Sequence, residues 1–75
     1  MTEQEFRSLR IGLVAMPLFS EFKYDCEEYY ELFGFEENEG YWRARRIGNG
    51  EYKEARIDSV TYRWWRIVGK MKNSP

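Results

Sequence analysis

Histidine is absent from this chain of 75 residues, and cysteine occurs once, at Cys26. A lone thiol cannot close an intramolecular disulfide. Without histidine, neither Cys/His zinc chemistry nor a Ser-His-Asp or Cys-His catalytic group can be assembled from these residues. Long apolar runs are missing too. The longest, Ile11–Phe19, contains Gly12 and Pro17 and falls well short of the roughly 20 residues that cross a bilayer. Glu3 and Glu5 stand where a secretory signal has its basic region,. A single thiol without an export pattern makes a reducing cytoplasm the expected compartment, with no membrane partner. There is no internal repeat and no low-complexity tract.

Motifs for cofactors and metals are equally scarce. Gly48-Asn49-Gly50 has neither the spacing nor the following helix of a phosphate-binding loop. The acidic stretch Glu36–Gly40 fails as a calcium loop: with Gly40 as the turn glycine, the first ligand falls on Phe35 and the last on Arg46,. Cys26 lies among carboxylates and apolar residues, surroundings that raise a thiol's pKa and make it inert. The expectation is a protein with no cofactor, no metal and no catalytic residue, hence not an enzyme.

What the chain does have is aromatic residues, 19% of the total, and charge that is segregated along its length. Residues 1–40 hold three basic side chains against ten acidic ones, a balance of −7. Residues 41–75 hold nine against three, a balance of +6, so the net −1 conceals a strong asymmetry. Asymmetry of this kind bears on partners and association, not on fold.

Two helices are expected first. Thr2 and Glu5 form a capping box, and Phe6, Leu9, Leu13 and Met16 follow at helical spacing, which predicts a helix over Glu3–Ala15 ended by Pro17. Phe19, Phe22, Cys26, Tyr29 and Phe33 continue that spacing up to Gly34, which predicts a second helix over Leu18–Phe33 with a glycine cap. Strands follow. Tyr41–Ile47 and Glu51–Ile57 flank Asn49-Gly50, a strong hairpin signal,. That turn sets Trp42 opposite Ile57, Ala44 opposite Ala55 and Arg45 opposite Glu54. A further turn at Asp58-Ser59 adds a third strand through Trp64, with Glu54 opposite Arg63. A helix over Glu51–Trp64 is the rival reading.

The expected fold is therefore α+β, two N-terminal helices packed on one face of a three-stranded antiparallel β-meander (ααβββ). It forms one domain over 1–75, with an acidic helical half (1–35), a basic meander (41–69) and a tail (70–75) expected to fray. The meander's core face would carry Trp42, Ala44, Ala55, Ile57, Val60, Tyr62 and Trp64.

Two surfaces are candidates for binding. The outer sheet face would gather Arg43, Arg45, Tyr52, Arg56, Arg63 and Trp65, guanidinium donors interleaved with flat rings. Such surfaces concentrate protein-interface hot spots, and a protein partner is the first expectation. The alternative is single-stranded RNA or DNA, with bases stacked on the rings and arginines on the phosphates. The bland reading is a salt ladder, Arg45–Glu54–Arg63. The second candidate surface is an acidic stripe, Glu21, Asp25 and Glu28, at i, i+4, i+7 spacing on the second helix. Regular carboxylates can imitate nucleic-acid phosphates, the strategy of phage or mobile-element accessory proteins that inhibit a host enzyme or nuclease. Opposite-signed halves or leftover aromatics could also join two copies into a homodimer.

Overall fold

The computed structural model describes residues 1–18, 28–48 and 50–72. In chain order its elements are α1 (Glu3–Arg7), β1 (Leu13–Pro17), β2 (Tyr30–Glu36), β3 (Tyr41–Arg46), β4 (Glu54–Ile57), a 3-10 turn (Tyr62–Trp64) and β5 (Trp65–Lys70). The strands form one antiparallel sheet in the order β4-β3-β2-β1-β5. The first four make a meander, and the fifth returns to pair with the first. This overturns the expected ααβββ arrangement: one short helix and a five-stranded sheet stand in place of two helices on three strands.

The capping box at Thr2 and Glu5 is present, with Glu5 N–H donating to the Thr2 hydroxyl and Thr2 N–H to the Glu5 carboxylate. The helix it starts stops after one turn. Isolated helices of this length are marginal in water, and Gly12 takes φ +97, a left-handed conformation that no helix interior accommodates,. The residues beyond it gain more as a strand. β1 is bonded on both sides, to β2 and β5, and Ala15 at its centre is fully buried. A short apolar run cannot be assigned to helix or strand by periodicity alone; here the two flanking strands decide it. Pro17 is the last residue of β1, where its missing donor costs least,.

The second predicted helix meets the same fate where it can be followed. Residues 19–27 lie outside the described set, but Tyr30–Phe33 belong to β2, so Gly34 is a strand residue and not a helix cap. The β2–β3 register passes from Leu32↔Ala44 to Gly34↔Arg43, which leaves Phe33 as the extra residue of a β-bulge. Gly40, at φ +73, closes the β2–β3 turn with its N–H on the Glu36 carbonyl at 2.8 Å.

The β3–β4 register is the one read from the hairpin: Trp42↔Ile57, Ala44↔Ala55 and Arg45↔Glu54. Beyond it the expectation fails again, as does the rival helix over Glu51–Trp64. Asp58 stops β4 by gathering the chain into a turn. Its Oδ1 accepts from the N–H of Val60 (2.9 Å) and Thr61 (2.8 Å) and from the Thr61 hydroxyl (3.0 Å). Burial works against the charged carboxylate there, but these bonds, helped by Arg56, outweigh it and hold Asp58 below its ordinary pKa,. The turn and the 3-10 segment after it carry the chain across the sheet and change the phase of alternation. Val60 and Trp64, expected in the core, are exposed, while Trp65 is buried.

The core gathers Leu9, Ala15, Tyr30, Leu32, Ala44, Ile57, Tyr62 and Trp65. Tyr62 stacks on Phe6 at 5.0 Å, which docks α1 against the 3-10 turn, and Trp65 meets Tyr30 edge-on at 5.3 Å. The Met1 ammonium donates to the carbonyls of Tyr62 and Trp65. Lys70, expected in the frayed tail, ends β5 opposite Leu13, and Met71 N–H bonds the Gly12 carbonyl at 2.8 Å; residues 73–75 lie outside the described set. No helix among the described residues is long and apolar enough to cross a membrane.

Candidate interaction surface

The outer face of the sheet, opposite the core, is where the predicted basic surface is partly realised. Alternation along β3 sends Ala44 inward and Arg43 and Arg45 outward, and on β4 it sends Ile57 inward and Arg56 outward,. Alternation from buried Leu32 sends Phe33 to the same side, and the bulge there shifts the phase so that Gly34 stands opposite Arg43,. The Arg43 and Arg45 guanidiniums lie over the Phe33 ring at 4.7 and 5.1 Å from its centre, and Arg56 lies over the Tyr41 ring at 4.4 Å. Contacts of this kind contribute about 0.5–1 kcal/mol each at exposed sites.

Each of these arginines also meets a carboxylate. Arg45 Nε donates to Glu31 Oε1 at 2.7 Å, Arg43 Nη2 donates to Glu54 Oε1 at 2.8 Å, and Arg56 Nη1 reaches Glu39 Oε2 at 3.6 Å. Glu54 pushes Arg43 above its ordinary pKa, chiefly through the hydrogen bond and then through its charge. The ladder expected along Arg45–Glu54–Arg63 is not formed. Although Arg45 and Glu54 are register partners, Glu54 goes diagonally to Arg43, and Arg45 turns to β2 for Glu31. Glu36, Tyr41, Arg43, Glu54, Ala55 and Arg56 line an open cleft of about 340 Å3 beside this lattice.

The other three predicted residues of the face lie elsewhere. Tyr52 sits in the β3–β4 connection, highly exposed and off the strands. Arg63 rides on the 3-10 turn, 5.8 Å from the Tyr62 ring centre. Trp65, expected on this face, is instead buried: at 8% exposure it belongs to the core and cannot stack on a ligand. In their place stand Glu31, Phe33, Tyr41 and Glu39, none of which is among the residues expected on this face. Glu31 between Tyr30 and Leu32 is a period-two signal that could have found β2, but helical spacing through Phe33 competed with it.

The acidic stripe is not assembled as a described surface. Glu21 and Asp25 lie outside the described residues. Glu28 precedes β2, where its carboxylate accepts from the Tyr30 hydroxyl at 2.9 Å and pairs with Lys53 Nζ at 3.2 Å. The Tyr30 bond lowers the Glu28 pKa; burial opposes this and Lys53 adds to it. In return, burial first and Glu28 second push the Tyr30 phenol up to about 12,. Glu28 is thus a structural partner of the core's rim. Among the described residues, no group of three His, Cys, Asp or Glu is arranged to hold a metal ion.

Apolar side chains are exposed at the β1–β5 end of the sheet. Leu18 N–H bonds the Trp64 carbonyl at 2.7 Å, and both side chains are about half exposed. Val68, the extra residue of a second bulge where the β1–β5 register steps from Val14↔Gly69 to Ala15↔Ile67, is exposed as well. Compared with protein-family models, with curated proteins and with solved structures, the chain finds no match.

Proposed function

We propose that this chain is a non-enzymatic protein-binding module that presents the outer face of its sheet to another protein. The observation that carries this reading is the engagement of Arg43, Arg45 and Arg56, each with a carboxylate and each over a ring. The arrangement supports the protein reading over single-stranded nucleic acid on two counts. Phosphates would have to displace carboxylates already in place, and the Phe33 and Tyr41 faces that bases would stack on carry guanidiniums. A protein surface can instead meet a charge-balanced, partly ordered patch of rings and arginines without that exchange. Holding the arginines in place beforehand lowers the ordering cost of association. Phosphate mimicry by the acidic stripe is not part of this proposal: Glu28 is tied to Tyr30 and Lys53, and Glu21 and Asp25 lie outside the described residues.

The test separates the two partner classes. Full-length protein immobilised in nuclease-treated lysate is expected to retain a protein partner that the double variant Arg43→Ala/Arg56→Ala loses, with circular dichroism unchanged. Fluorescence anisotropy against a labelled single-stranded oligonucleotide is expected to show no saturable binding. Three guanidiniums on three phosphates would instead give a slope of about −2 for log K against log salt, and that result would replace the protein reading with the nucleic-acid one.

A further inference from the structure

We infer that two copies of this chain associate through the outer edge of β4, strand against strand, about a two-fold axis at Ala55. The inference does not rest on the reading above: its hydrogen bonds come from the backbone edge of β4, although the side chains that fix its register, Glu54 and Arg56, also belong to the outer face. β4 stands at the end of the sheet order, and among the described residues no strand pairs with its far side. In an antiparallel pair, residues alternate between those whose N–H and C=O face the partner strand and those whose groups face away. Arg46 N–H donates to the Lys53 carbonyl at 2.9 Å. With the register Ala44↔Ala55 and Trp42↔Ile57, this turns the backbone groups of Lys53, Ala55 and Ile57 toward β3. Those of Glu54 and Arg56 face outward. The Thr61 hydroxyl, whose one proton goes to Asp58, lies 3.5 Å from the Arg56 carbonyl, which keeps a lone pair for a partner strand.

A two-fold axis at Ala55 sets Glu54 opposite Arg56 of the second copy, and Arg56 opposite Glu54 of the second copy. Both positions point outward, so each pair exchanges two backbone hydrogen bonds, and opposite charges fall side by side on one face. Neighbouring registers lose one or the other. A one-residue slip sets outward Glu54 against a residue whose groups are spent on β3. An axis at Glu54 or at Arg56 sets like charges against each other.

The charges at this edge also ask for such a partner. Arg43 and Arg56 are register neighbours of like sign. Arg43 holds Glu54 at 2.8 Å, while Arg56 has Glu39 at 3.6 Å with both side chains about two-thirds exposed. A carboxylate accepts more than one guanidinium, so Glu54 of the second copy completes the pairing of Arg56. A four-residue edge buries little area, so the dimer is weak and concentration-dependent.

Sedimentation equilibrium on the full chain, from micromolar to millimolar, tests this. The wild type is expected to approach a dimer. Glu54→Arg and Arg56→Glu are each expected to weaken dimerisation about tenfold or more, since the symmetry counts each change twice. An equimolar mixture of the two variants is expected to recover a heterodimer, because every edge pair is then of opposite sign. A wild type that stays monomeric, a dimer that survives both single changes, or two folded variants that fail to associate would each overturn the inference. If either variant does not fold, amide exchange on the wild type decides alone. Slower exchange at Glu54 and Arg56 with rising concentration supports the interface, and unchanged exchange overturns it.

Discussion

The two faces of this sheet are held by different physics. Inside, Ala15, Leu32, Ala44 and Ile57 have no exposed surface, and the rings of Tyr30, Tyr62 and Trp65 close over them. Stabilisation there scales with apolar area removed from water. Outside, Arg43, Arg45 and Arg56 lie over Phe33 and Tyr41 and share Glu31, Glu54 and Glu39. Such pairs are solvated, so each contributes little to stability while ordering long side chains. The comparison teaches where stability resides: burial on the inner face sets whether the chain folds, and the solvated pairs of the outer face add little to it.

The largest expected effect is on the inner face. Trp65→Ala removes a buried indole from its edge contact with Tyr30 and should cost about 3–5 kcal/mol in urea unfolding. A loss under about 1 kcal/mol would mean that Trp65 faces solvent after all. The next effect lies at the rim, where the Tyr30 phenol meets Glu28. A group whose pKa is higher in the fold than in the unfolded chain binds more protons when folded. Stability is therefore full below pH 10 and falls as pH rises toward 12, by about 2–3 kcal/mol,. Tyr30→Phe should flatten that alkaline decline in a pH series of denaturant midpoints. The smallest effect is outside. Arg45→Ala loses its contacts with Phe33 and Glu31 and should cost about 1 kcal/mol or less, with the difference shrinking in high salt. A salt-independent loss of several kcal/mol would put Arg45 in the same class as the core.

These regions also differ in how far they could be read from residues alone. Around Asn49-Gly50 the reading was local: alternation on both sides of one turn implied the β3–β4 register, and with it the outward direction of Arg43, Arg45 and Arg56. At Gly12–Pro17 and Tyr30–Phe33 it was not. The same apolar spacing suits a helix face and a buried strand, and what separates them is the presence of β2 and β5 on either side of β1. Those neighbours are far off in sequence. Trp65 failed for a related reason, since its direction depends on the phase change made by the Asp58 turn and the 3-10 segment.

By itself, the sequence determined the absence of an intramolecular disulfide, of histidine and of Cys/His zinc chemistry, the capping box at Thr2, the β3–β4 register and the opposite charge of the two halves. All of these follow from residue identity or from contacts a few positions apart. Only the tertiary structure decided that the acidic N-terminal half supplies strands as well as a helix, that Trp65 is core, and that Glu31 and Glu39 reach across to Arg45 and Arg56. Trp65 turns inward through the Asp58 turn and the 3-10 segment; the other two share one physical reason. A strand is stabilised by hydrogen bonds to other strands, and cross-strand ion pairs exist only once those strands are side by side.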